Sequence, residues 1–137
     1  MTNAERQMPN APNGAIGAKV KEQRAYDLAE RTAKFGKRVI GLARKIPRSP
    51  VTLPLIRQLV RSGTGVGTNN CEADDVVSRK DFRNKIGICR KESREAKHWL
   101  RMIATANEEL KAEARALWSE AKELNLIFSK VFRSAGA

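Results

Sequence analysis

Leu59-Val60-Arg61-Ser62-Gly63-Thr64-Gly65-Val66-Gly67-Thr68-Asn69-Asn70-Cys71-Glu72-Ala73 is the stretch on which the fold turns. Gly63, Gly65 and Gly67 alternate with larger residues, and two asparagines and an acid follow. As a loop, the glycines would cradle a phosphate. As a helix, they would mark a seam where a neighbouring helix comes close. The loop reading lacks its chemistry, because no Gly-Lys-Ser/Thr follows and the spacing is not that of a P-loop. Neither is it Gly-x-Gly-x-x-Gly, and no strand pattern precedes it. The helix reading carries a cost of roughly 1 kcal/mol per interior glycine relative to alanine, which packing must offset. Gly63 and Gly67 are four apart and share a face, while Gly65 points elsewhere. Residues 59–73 are therefore expected to be helical, with Gly63 or Gly67 at a close helix–helix contact and no ligand bound there.

The flanking sequence supports that reading. On the N-terminal side, Leu28, Phe35, Val39, Leu42 and Ile46 recur at helical spacing and predict a helix from about Gln23 to Ile46. Residues 1–22 carry prolines, glycines and asparagines without a period, and read as a mobile tail. Pro47-Arg48-Ser49-Pro50 ends the first helix. Thr52 is the expected N-cap of the second, whose apolar face is Leu55, Ile56, Leu59, Val60 and Val66. Ser78, with Asp81 three residues on, opens a third helix that runs to about Ala106. Its core stripe is Phe82, Ile86, Cys89, Ser93, Ala96, Leu100 and Ile103. The run Thr105 to Glu109 is the expected turn, before a fourth helix from about Ala112 to Arg133 striped by Leu117, Ala121, Leu124, Phe128 and Val131. Four amphipathic helices with short links predict an all-α, antiparallel up-down four-helix bundle over residues 23–134.

Charge is the strongest functional signal. Lys and Arg number 27 against 15 Asp and Glu, a net charge of +12 on 137 residues. That excess points to a polyanion, most commonly nucleic acid. Arg83, Arg90, Arg94, Lys97 and Arg101 fall in one narrow wedge of the third helix, expected opposite its core stripe. They form a line about 27 Å long at the helical rise. Such a line can serve solubility alone. Cations with few interleaved acids make poor i,i+4 pairs, however, which favours phosphate tracking. Lys34, Arg38 and Lys45 on the first helix, on a side they share with Arg31, join the candidate contacts. No segment pairs a basic face with large exposed apolar residues or approaches the roughly 20 apolar residues of a membrane span. Neither membrane nor small-molecule substrate is expected.

Catalytic chemistry is not indicated. Ser62 and Ser78 lack a base, since the one histidine, His98, sits mid-helix beside Trp99. A metal site is disfavoured by one His and two Cys, and no cofactor motif is present. Cys71 and Cys89 read as reduced thiols of a cytoplasmic protein, because Met1 to Gly17 has no apolar signal core. Glu92 and Glu95 could share acid–base work, but such a pair more often binds an arginine across a bundle or a subunit interface. Arg61 and Glu72 are the candidates for the same polar layer, on whose flank Trp99 lies. Trp99 and Trp118, on helices with clear core stripes, read as packing or interface anchors rather than stacking platforms.

Several of these residues resemble a known pattern. Leu28, Arg31, Phe35, Val39, Leu42 and Pro47 are followed by Gln58-Leu59, Arg61-Ser62, Asn69-Asn70 and Glu72-Ala73. Ser78, Lys80-Asp81-Phe82, Lys91-Glu92-Ser93, Glu95 and His98-Trp99-Leu100 come next. Order and spacing resemble the bacterial four-helix-bundle family of ribosomal-RNA intervening-sequence proteins, related to the accessory variability determinant proteins of diversity-generating retroelements. The likeness covers about Tyr26 to Phe132 and is most specific around the second helix and the start of the third. It implies a ring-like homopentamer with a basic surface. In the retroelement branch it implies a protein that binds the element's reverse transcriptase and its RNA or DNA, whereas the intervening-sequence branch has no defined role. Taken with the charge pattern, the expectation is a non-enzymatic, oligomeric nucleic-acid-binding accessory protein. The alternative it leaves open is an interaction bundle whose basic face meets an acidic protein. The chain departs from the pattern at Ser62-Gly63-Thr64-Gly65-Val66-Gly67, where the family has Ser-Ala/Thr-Ser-Ile. The positions stay small, but local helix stability is weakened.

Overall fold

The computed structural model describes residues 13–136, with side chains from Asp27 onward. Four helices fill it: α1 (Asn13–Lys45), α2 (Thr52–Asp74), α3 (Arg79–Ala106) and α4 (Lys111–Ala135), with a single 3-10 turn at Glu108–Leu110 before α4. No strand occurs among the described residues. The expected all-α bundle is present.

The pairing between helices shows the up-down arrangement directly. Thr32 and Val39 of α1 lie against Gly67 and Gly63 of α2. Arg61 reaches Glu95 and Glu72 reaches Lys85 between α2 and α3. Arg83 meets Phe132, and the Asn125 amide reaches the carbonyl of Arg90, between α3 and α4. Arg31 binds Glu120 and Lys45 binds Glu113, closing α4 back onto α1. In each pair the earlier residue of one helix meets the later residue of its neighbour, so every neighbouring pair is antiparallel.

The core follows the stripes. Phe35, Val39, Leu42 and Ile46 meet Leu59 and Val66, then Ile86, Cys89, Leu100 and Ile103, then Leu117, Leu124 and Phe128, all buried. Three buried hydroxyls donate within their own helices: Thr32 to Leu28 O, Ser62 to Gln58 O and Ser93 to Arg90 O, and Ser93 Oγ also accepts from the Asn125 amide of α4. This back-bonding lets small polar residues sit in a tight interior.

The helix ends refine two expectations. α1 begins at Asn13 rather than near Gln23, so ten residues assigned to the tail are helical backbone. Past Pro12, the next proline is Pro47, and Ala15, Ala18, Lys19 and Glu22 favour helix over the cost of Gly14 and Gly17. Residues 1–12, the rest of that tail, lie outside the described residues. At α2, Thr52 is not the cap: Ser49 Oγ accepts from the backbone N–H groups of Val51 and Thr52. Thr52 instead donates to Pro47 O at 2.7 Å. The rigid Pro47–Pro50 turn brings Ser49 under the helix start. Arg48 donates to the carbonyls of Ala43 and Ile46 and covers the end of α1. Ser78 caps α3 as expected, accepting from Asp81 N at 3.0 Å. Among the described residues, no helix is long and apolar enough to cross a membrane.

Candidate nucleic-acid interface

Residues 59–73 are helical throughout. A Cβ added at Gly63 would lie 2.8 Å from both Cγ atoms of Val39, so the backbones approach too closely there for alanine. Gly67 faces Thr32 at 3.5 Å, and Gly36 of α1 faces the Gly63 carbonyl at 3.8 Å. The seam therefore joins α1 to α2. Gly65 looks the other way, toward α3: its added Cβ would sit 2.9 Å from Glu92 Oε2. The alternation of glycines serves two neighbours at once, one on each side of α2.

Gly65 makes room for the polar layer. Arg61 donates to Glu95 Oε2 at 2.7 Å and to both oxygens of Glu92 at 3.3–3.4 Å. The Glu92 side chain is 9% exposed and that of Arg61 is half exposed. The hydrogen bond to Glu95, then the nearby carboxylate charges, hold the guanidinium pKa above its usual value, against desolvation. Both carboxylates are thus engaged by one guanidinium, which is a structural arrangement. Glu72 does not join it, but pairs with Lys85 at 3.5 Å nearer the other end of α2. Trp99 is half-buried on the core, edge-on to His98, with its ring centre 4.8 Å away.

The α3 row lies on the flank of the helix that meets α4, not opposite the core. At 100° per residue its centre is about 90° from the core stripe, which places it beside the neighbouring helix. Two guanidinium groups lie over the Phe132 ring: Arg83 at 3.7 Å and Arg90 at 4.1 Å from the ring centre. Lys97 lies 5.2 Å from the Trp118 ring centre and Lys122 5.6 Å. These contacts hold cations without neutralising them, because a ring carries no net charge. Arg94 and Arg101 are exposed. Among the described residues, none of the five has a carboxylate within ion-pair distance.

The α1 cations form a separate group across α4. Lys45 is paired with Glu113 at 2.7 Å. Arg31 binds Glu120 through two 2.8 Å hydrogen bonds. Lys34 and Arg38 stay exposed, and their charges help to hold Glu120 below the usual carboxylate range, chiefly the work of Arg31. Sequence reasoning missed Lys122 and Phe132 as partners of the row. The signal was available, since Trp118 and Lys122 are four apart on α4 and the row's wheel angle borders that helix.

Residues 24–130 match the family of 23S rRNA-intervening sequence proteins. The chain belongs to that family. A solved structure, a protein of unknown function from the S23 ribosomal protein family of Bacteroides thetaiotaomicron, is similar at 25% identity with a TM-score of 0.70. The likeness covers 77% of this chain and 97% of that one. No curated protein is similar to the chain. Family membership fits the four-helix architecture.

Proposed function

We propose that this 23S rRNA-intervening sequence protein is a non-enzymatic nucleic-acid-binding accessory protein that contacts phosphate backbones through the α3 row. The observation that carries the reading is the run Arg83, Arg90, Arg94, Lys97 and Arg101, cationic over about 27 Å and free of carboxylate partners among the described residues. In a chain of net charge +12, that row is the surface a polyanion neutralises most readily. Contacts of this kind position a backbone without reading sequence. Self-association into a ring, a homopentamer, would align several rows, and a reverse transcriptase is the enzyme with which such an accessory would share its template. An acidic protein on the same face is the competing reading.

Filter binding to RNA and DNA across a salt series tests it. Affinity should fall steeply as salt rises, by about a hundredfold between 50 and 200 mM if five phosphates of a single strand are neutralised. Salt-independent binding, or binding to an acidic polypeptide alone, overturns the proposal. Sedimentation at micromolar concentration tests the ring, and a monomer refutes it.

A further inference from the structure

A cleft of about 510 Å³ opens between the C-terminal part of α3 and the first turns of α4. That is within the range of small-ligand sites. Its floor is Leu100, Ala104 and Ala114, and Trp118 forms a wall. Three cations stand on it: Arg101, Lys111 and Arg115. Among the described residues, only Lys111 of the three has a carboxylate within ion-pair distance, Glu108 at 3.7 Å. Trp118 is half-buried with its Nε1–H shut away from solvent, so it offers the cleft its ring rather than its donor.

The cleft is continuous with the α3 row, because Arg101 belongs to both. A strand laid along the row arrives at an apolar recess beside an indole, ringed by positive charge. We infer that this cleft takes the base of an unpaired nucleotide of the bound strand, while Arg101, Lys111 and Arg115 hold the adjoining phosphates. The inference rests on the nucleic-acid reading above and deepens it by making single-stranded segments the preferred ligand. Duplex bases are stacked inward and cannot enter a recess without being extruded, whereas unpaired bases are free to do so. A second copy of this chain is a poor occupant, since three cations would face a protein that is itself strongly positive.

Fluorescence and affinity together provide the test. In a Trp99→Phe background Trp118 is the sole tryptophan. Two ten-nucleotide single strands are titrated in, one with ordinary bases and one fully abasic, with a duplex as a third arm. The base-bearing strand should quench Trp118 and bind about tenfold tighter than the abasic strand, the scale of one stacked base. Ala104→Leu, which fills the recess without altering charge, should remove that advantage and leave abasic affinity as it was. Its thermal melt reports that the bundle remains folded. Trp118→Leu provides a second variant with the same expected loss of preference. Equal affinity for both strands without quenching, or tighter binding of duplex, overturns the cleft assignment while leaving backbone binding standing. Failure of all three nucleic acids to bind overturns both.

Discussion

Replacing Gly63 by alanine isolates what holds α1 against α2. Alanine gains about 1 kcal/mol of helix propensity over glycine. Against that, its Cβ would lie 2.8 Å from Val39 Cγ1, 2.8 Å from Cγ2 and 3.1 Å from Cβ. Val39 is fully buried and β-branched, so no rotamer clears all three atoms. The helices must separate, and overpacking of this kind costs about 1–3 kcal/mol. With the crowding of three atoms placing the cost toward the upper end, the net should be a loss of about 1–2 kcal/mol. At roughly 4 °C per kcal/mol for a chain this size, Tm should fall about 4–8 °C at fixed protein concentration. Gly41 has nothing within 4 Å of its added Cβ, and Gly67 only an ordinary 3.5 Å contact with Thr32. Alanine at either should raise Tm by up to about 4 °C through propensity alone. Gly65→Ala should fall between, because the clashing atom is the mobile end of Glu92. Calorimetry on the four variants reads the order. A Gly63→Ala protein that melts at or above the wild type refutes the close approach.

Arg61→Met should destabilise the bundle by about 1–3 kcal/mol in urea melts, mainly by leaving the buried Glu92 carboxylate unpaired. Glu95→Gln, at the more exposed end of the same link, should cost under about 1 kcal/mol, and equal losses would contradict this division. Glu120 is held below the usual carboxylate range, first by the hydrogen bonds from Arg31. A depressed folded pKa adds stability that is present above the unfolded value and disappears as pH falls through the folded one. The stability gap between wild type and Arg31→Ala should therefore be present at pH 7 and shrink below about pH 4, and a gap unchanged at pH 3 would count against the pair. Burial pushes the Cys89 thiol up to about 12, and it donates to the Val66 carbonyl at 3.6 Å, whereas Cys71 is exposed. A thiol reagent at pH 8 should modify Cys71 quickly and Cys89 only on unfolding; two equal rates would place Cys89 wrongly.

Much of the bundle was legible in period alone. The stripes of α1, α3 and α4 are one-face patterns, and their main apolar residues are buried where the period puts them. The helical reading of residues 59–73 required rejecting a loop chemistry for want of its lysine and strand, and α2 bears that out. Gly65 was harder. A residue's face says which way it points, not which atom waits there, and Glu92 comes from 27 positions along the chain. The same limit separated Glu72 from Arg61: both are polar and on one helix, but only the three-dimensional register shows that Lys85 takes Glu72. The Thr52 cap was displaced by Ser49 because Pro47 and Pro50 set a turn whose exit geometry is not a local propensity. The α3 row was visible as a wedge, whereas its rings, Phe132 and Trp118, arrive only when α4 packs beside it.

Arg94→Glu/Arg101→Glu tests the central claim most directly, since both side chains are exposed and neither is held by a ring or carboxylate among the described residues. The measurement is the salt slope of single-strand binding, with sedimentation to confirm that the assembly is unchanged. The wild type should give a slope of log Kobs on log salt of about −3.5, and the double variant should lose about 1.4 of it along with most of the affinity. An assembly that is intact and binds the strand with wild-type affinity and slope would contradict the account.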